Sequence, residues 1–172
     1  IITTCGYATT DFDLWPETSK MILVLLMFIG ACAGSTGGGF KISRLLILYK
    51  AIPKQLSLVI HPREVKVIRM DGKPIDHNTL RSTNVYLAIY FFILLVSTLL
   101  ISVDNFNLTT NFTAVASTLN NIGPGLDGVG PTRNFGMYSD FSKFVLMFDM
   151  LAGRLELYPL LILFMPSLWR RK

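Results

Sequence analysis

The sequence predicts an all-α integral membrane fold of full spans, one broken helix and one re-entrant half-helix, and three observations carry that expectation. Val85–Val103 runs for nineteen residues without a charge. That is about 28 Å of helix at ~1.5 Å per residue, close to the ~30 Å hydrocarbon core of a bilayer. Positive charge is segregated: nine of the sixteen Lys and Arg fall between Lys41 and Arg81, and three more are Arg170, Arg171 and Lys172. Finally, the apolar stretch Leu108–Asn121 covers about fourteen residues, half a span, and is rich in Thr and Asn.

Composition removes the main alternatives. Hydrophobic residues make up 51% of the 172 and charged residues only 16%, against about 25% charged in ordinary soluble domains. Disordered chains are poor in apolar residues, so this is not one. Two cysteines, Cys5 and Cys32, give no disulfide framework and lie near no His/Cys/Asp cluster at metal spacing. The net charge of +5 would suit a nucleic-acid partner only if it covered one face, and it does not; no nucleic acid is expected. His61 and His77 both lie in the basic connector, and no catalytic grouping is apparent, so an enzyme is not expected.

Basic flanks mark the cytoplasmic side of a span. Lys41–Arg81 and the tail Arg170–Lys172 are therefore expected inside. Ile1–Thr18 and Asp104–Asp140 are expected outside; they hold Asp11, Asp13, Glu17, Asp104, Asp127 and Asp140 against a single Arg133. No cleavable signal peptide opens the chain, and the loop-like start without Met suggests a piece of a longer protein.

In order, residues 1–16 form an outer strand and loop. Residues 17–53 form a broken span: Pro16-Glu17-Thr18 starts a helix, Lys20–Ile29 is apolar, residues 30–39 interrupt it, and helix resumes over Phe40–Ile52 to end near Pro53. About thirteen apolar residues before the break are too few to cross a bilayer. The glycines must then lie in or near the membrane, where irregular backbone needs protein cover or a watery cavity. Residues 54–84 form the basic connector, a solvated face, a lipid-headgroup contact or a docking surface. Residues 85–172 supply a span at 85–103, a half-helix at 108–121, a turn at 121–126 ended by Gly123-Pro124-Gly125, a last span at 139–166 and the basic tail. The glycosylation patterns at Asn107 and Asn111 fall at the start of the half-helix and are discounted.

Three features carry candidate chemistry. Thr3-Thr4-Cys5-Gly6-Tyr7 and Asn120-Asn121-Ile122-Gly123-Pro124 echo each other: each places a glycine after a short polar stretch, on the outer side, before a span. Glycine there lets successive carbonyls turn inward and replace an ion's water shell, with Asn120 and Asn121 bracing from behind; an ordinary outer turn is the alternative. The run Gly34-Ser35-Thr36-Gly37-Gly38-Gly39 is not a phosphate loop, because Phe40 stands where the lysine should be. It reads as a passive kink or, preferably, a flexible constriction. Arg154 lies within the last span and needs a partner: Asp149, imperfectly spaced at five residues, carbonyls of the glycine break, or a charge on another span.

Thr4-Cys5-Gly6-Tyr7, Ala33–Lys41 (AGSTGGGFK), Asn120–Leu126 (NNIGPGL) and Gly153-Arg154-Leu155-Glu156-Leu157, with the closing Phe164–Arg170, together resemble the Trk/Ktr family of potassium uptake proteins. The resemblance implies span–pore-helix–span repeats, here the end of the third and all of the fourth. It implies a filter at Thr4, Cys5, Gly6, Tyr7 and at Asn121, Ile122, Gly123, Pro124, with potassium at the filter carbonyls. It implies a gating loop at Gly34, Ser35, Thr36, Gly37, Gly38 and Gly39, contacted by Arg154. It further implies a bacterial inner-membrane location in contact with membrane lipid, a homodimer, a cytoplasmic nucleotide-binding regulatory subunit, and no cofactor on this chain. Two filter strands cannot encircle an ion, so the chain alone is not expected to conduct. Other classes are a proton- or sodium-coupled transporter using Asp149 and Arg154, and a non-transporting assembly subunit working through its connector.

Overall fold

A computed structural model describes residues 1, 3–30, 32, 39–61, 67–70 and 73–155. Residues 33–38, holding most of the expected gating loop, and 156–172, holding the end of the last span and the basic tail, lie outside the described residues. Five helices follow in order among the described residues: α1 (Glu17–Phe28), α2 (Ile42–Ile60), α3 (His77–Ile101), α4 (Leu108–Leu119) and α5 (Asp140–Leu155). Two-residue strands β1 (Arg69–Met70) and β2 (Lys73–Pro74) pair antiparallel in the connector, a small departure from an all-helical chain.

The half-length helix α4 is the hub, packed by α1, α3 and α5. From Thr110 to Leu119 it is buried at every position except the half-buried Phe112. Its composition makes this affordable. Thr113 and Thr118 donate their hydroxyls to the carbonyls of Thr109 (2.8 Å) and Ala114 (2.9 Å), so they carry no unmet polar group into the core. Ala114, Ala116 and Ser117 present little bulk, and neighbouring helices approach closely.

The long helices invert the pattern of a soluble protein. On α3, Phe92, Leu95 and Leu99 face outward while Ser97 is buried; on α5, Phe144, Met147 and Leu151 face outward while Ser142 and Asp149 are buried. Apolar surface outside and hydrogen-bonded polar groups inside is the arrangement that a lipid solvent selects. Helix α3 with the turn that follows it, His77–Asp104, is long and apolar enough to cross a membrane.

Two boundaries differ from the sequence expectation. Helix α2 does not end near Pro53 but carries it internally and continues to Ile60. A proline removes one backbone donor and crowds the preceding turn, but α2 is anchored upstream by Ile47 and Ala51, which pack with Ile68 and Leu80. Helix α3 starts at His77, eight residues before the uncharged stretch, because Thr83 and Leu80 are buried there and hold a polar turn in the helix.

The break between α1 and α2 opens and closes at one point. Ile29 and Phe40 form a parallel bridge, and the Gly30 N–H donates to the Phe40 carbonyl at 3.0 Å. The end of α1 and the start of α2 are therefore tied together at this point. Around this junction Phe28, Phe40, Tyr86, Tyr90 and Phe112 make an aromatic cluster, with Phe28 edge-on to Tyr90 at 6.4 Å and Arg44 stacked on Tyr86 at 4.0 Å.

Candidate ion-pathway site

The two glycine strands share left-handed residues at matching positions. Thr4 and Gly6 adopt left-handed dihedrals (φ 51° and 77°), and so do Asn121 and Gly123 at the equivalent positions (φ 54° and 112°). In each strand the residue two before the glycine donates its N–H three residues back, Thr4 to Ile1 and Asn121 to Thr118, both at 3.0 Å. Left-handed residues redirect the carbonyls beside them out of the ordinary extended alternation, and only glycine does this freely at φ 112°.

The strands also touch. A Cβ on Gly6 would stand 3.2 Å from the Ile122 carbonyl oxygen and 3.9 Å from the Gly123 Cα. Cys5, Gly6 and Tyr7 are exposed, Tyr7 at 95%, and Gly123 is exposed beside the half-buried Pro124. Free surface on this side is what a pathway wall needs.

Helix α4 sets the second strand. Its last turn leads directly into Asn120 and Asn121, so the carbonyl end of its dipole, favourable to a cation, is aimed at the strand. The Ser117 hydroxyl donates to the Gly123 carbonyl at 2.7 Å, and the Ile122 N–H donates to the Ser117 carbonyl at 2.9 Å. The Gly123 carbonyl is thus turned toward the helix, whereas that of Ile122 faces Gly6. Farther out, the Leu126 N–H donates to Thr113 Oγ1 at 3.1 Å, which ties the strand's return to the same helix.

Asn120 and Asn121 are both engaged with the helices around the second strand. Asn121 donates Nδ2–H to the Met150 carbonyl of α5 at 3.0 Å. Asn120 donates to the Ala116 carbonyl at 2.7 Å and accepts from the Tyr90 hydroxyl at 2.8 Å. Both amides thus tie the backbone entering the second glycine strand to its neighbours, and Ser117 adds a bond to the Gly123 carbonyl. Gly153 permits the α4–α5 approach, since a Cβ there would collide with the Leu119 carbonyl and lie 2.8 Å from Asn121 Nδ2.

Asp149 is fully buried and its Oδ1 accepts from Ser97 Oγ at 2.7 Å. Arg154 sits in the last described turn of α5 and is exposed. Five residues are about 140° apart around a helix, so the two do not share a face. Of the glycine run only Gly39 is described; it is left-handed at φ 85°, and a Cβ on it would stand 3.0 Å from Asn120 Oδ1.

The loop before α1 and the loop after α4 are fastened to one another. Asp13 Oδ1 accepts the Asp127 N–H at 2.9 Å, and a Cβ on Gly130 would collide with Asp13 Oδ2. Asp127 accepts from Asn107 (3.2 Å) and Thr110 (2.9 Å), and these bonds hold its carboxyl below the usual carboxylate range. The Ser139 backbone N–H, at 3.0 Å, does the same for Asp104, aided by Ser142. Tyr138 donates to Asn111 Oδ1 at 3.0 Å, and burial pushes its hydroxyl up to about 12. A cavity of about 450 Å³ between these loops is lined by residues of both charges, among them Asp11, Asp13, Glu17 and Asp127 with Lys20 and Arg133.

Ser117 and Gly153 escaped sequence reasoning as residues of this site, and Tyr90 and Asp13 as residues that support it. Gly153 stood beside Arg154 in a quoted motif and Asp13 among the acidic residues; Ser117 and Tyr90 carried no signal of spacing or charge.

Comparison with known proteins identifies the family. The sequence model of the TrkH family, described as a cation transport protein, matches residues 2–171. The chain is 39% identical over 170 residues to the Trk system potassium uptake protein TrkH of Vibrio parahaemolyticus, covering 99% of this chain and 35% of that one. It is 37% identical over 168 residues to TrkH of Escherichia coli K12, covering 98% and 34%, and 33% identical over 170 residues to TrkG of the same strain, covering 99% and 35%. The crystal structure of the potassium transporter TrkH from V. parahaemolyticus superposes with a TM-score of 0.86 at 39% identity, covering 98% of this chain and 36% of that chain. The chain spans about a third of the length of the curated relatives it matches.

Proposed function

Since the chain belongs to the TrkH family of cation transport proteins, a family of transporters and not of enzymes, we propose that it supplies two of the filter strands and the adjoining spans of a potassium uptake pore. Ions lose water at carbonyls around Gly6 and Gly123, within the filter segments Thr4–Tyr7 and Asn121–Pro124. The observation that carries this is the paired left-handed geometry of those two strands, in contact with each other at the carbonyl end of α4. The protein works in a cell membrane, the bacterial inner membrane, with the connector 54–84 and the C-terminus cytoplasmic. The run Gly34–Gly39, with Arg154, controls passage below the filter. A homodimer and a cytoplasmic nucleotide-binding regulatory subunit complete the working assembly.

The coupled-transporter reading requires Asp149 and Arg154 at one site. Asp149 meets Ser97 instead, and Arg154 lies on another face, which favours the pore.

The test is growth at limiting potassium of a bacterium lacking its own uptake systems, complemented by the full reading frame that contains this chain. Rescue, with rubidium competing and sodium not, is expected; failure to accumulate potassium would sink the proposal. The 172-residue chain alone, reconstituted in liposomes, is expected to carry no selective flux.

A further inference from the structure

Three elements distant in sequence converge on the side chain of Asn120. The residue is 1% exposed and stands at the C-terminal end of α4, directly before the strand Asn121–Gly123. Its Nδ2 donates to the Ala116 carbonyl of the helix end at 2.7 Å. Its Oδ1 accepts from the Tyr90 hydroxyl of α3 at 2.8 Å. The same oxygen faces Gly39, where an added Cβ would come within 3.0 Å of it. Gly39 in turn precedes Phe40, whose ring lies 6.3 Å from that of Tyr90 and whose carbonyl closes the α1–α2 break through Gly30.

A primary amide has an oxygen end and a nitrogen end, and only one orientation serves both neighbours. The Tyr90 hydroxyl selects it. A phenol O–H donates well to an amide oxygen but would meet the NH₂ group donor to donor if the amide turned over. With Oδ1 held toward Tyr90, Nδ2 is committed to the helix end, and the smaller face of the amide is left for Gly39. The hydroxyl therefore fixes a side chain one residue from the filter strand, without itself reaching the strand.

We propose that Tyr90 is a positioning residue for ion discrimination: by orienting Asn120 it sets where α4 ends and hence where the Ile122 and Gly123 carbonyls stand. This deepens the pore reading and rests on it. Tyr90 belongs to the long apolar span and touches no ion. Its ring is also ordinary packing for Phe28, Phe40 and Tyr86, so the hydroxyl must be separated from the ring.

The experiment is tracer uptake by the full reading frame in a potassium-uptake-deficient bacterium, with sodium and rubidium as competitors, beside thermal unfolding of the purified protein. Tyr90→Phe keeps the ring and removes the donor. Its potassium-over-sodium discrimination is expected to fall roughly three- to tenfold, the value of one hydrogen bond, while maximal rubidium uptake stays near wild type. Asn120→Ala is expected to lower discrimination as well, and adding Tyr90→Phe to it should change nothing further, because the hydroxyl acts only through that amide. Unaltered discrimination in Tyr90→Phe overturns the proposal, as do losses that multiply in the double variant. If Asn120→Ala does not accumulate, the Tyr90→Phe arm decides alone. A wild-type protein that moves no potassium would be the failure of the pore reading, a different outcome from a selective wild type with an equally selective Tyr90→Phe.

Discussion

A methyl group on Gly123 would stand 3.0 Å from the Cα of Gly6. The two glycine strands, one at the start of the chain and one directly after α4, thus meet backbone to backbone, and a side chain on either glycine would be crowded. Both are also left-handed, a conformation that costs other residues about 1–2 kcal/mol.

Gly6→Ala and Gly123→Ala should accordingly each reduce potassium uptake by the full reading frame about tenfold or more, the rate equivalent of ~1.4 kcal/mol. Gly123→Ala should be the more damaging, because its methyl meets backbone carbon and its φ of 112° is the more extreme. Tracer uptake normalised to protein in the membrane checks this. Wild-type rates in either variant would mean that the strands stand farther apart in the working protein.

Gly153 is the other close approach, between α5 and the end of α4. Gly153→Ala would push a methyl into the Leu119 carbonyl. Overpacking of this kind costs about 1–3 kcal/mol, and the Asn121–Met150 hydrogen bond should stretch with it. The expected result is a drop of several degrees in the Tm of the detergent-purified protein together with weakened ion discrimination. An unchanged Tm would contradict the contact.

The fastened loops should weaken in acid. Asp104 and Asp127 are held below the usual carboxylate range by hydrogen bonds formed only on folding. A carboxyl lowered by folding stabilises the fold above its unfolded pKa of about 3.9, and that contribution disappears as pH falls through the lower folded value. The Tm advantage of wild type over Asp104→Asn and Asp127→Asn should therefore be full near pH 6 and shrink below about pH 4. Melting curves across that range provide the check; a gap that persists in acid would show that the charges are not responsible.

Much of the architecture could be read from charge and length. The uncharged stretch 85–103 marks α3, and a fourteen-residue apolar run rich in Thr predicts a helix the size of α4. Repetition of a polar stretch with glycine points to two strands that do share left-handed residues at matching positions. What could not be read depends on which side chains meet across the core. The particular partners of Asn120, Asn121 and Ser117 (Tyr90, Met150 and the Gly123 carbonyl) are set by how the helices pack and carry no mark in the sequence. Pro53 suggests a helix end, yet packing by Ile47 and Ala51 carries α2 past it. Asp149 invites an ion pair with Arg154 from their proximity in sequence, but helix rotation gives it to Ser97.

The bond from the Asp127 N–H to Asp13 has a bearing on how the protein is made. Its partners are 114 residues apart, and at ~5–20 residues per second the ribosome needs about 6–23 s to deliver the second after the first. During that interval the first glycine strand has been synthesised without the carboxylate bond that anchors the loop behind it. The loop junction is therefore finished late, when the following span and half-helix have arrived, and chaperones or proteases that act on nascent membrane chains meet it first in an unlatched form.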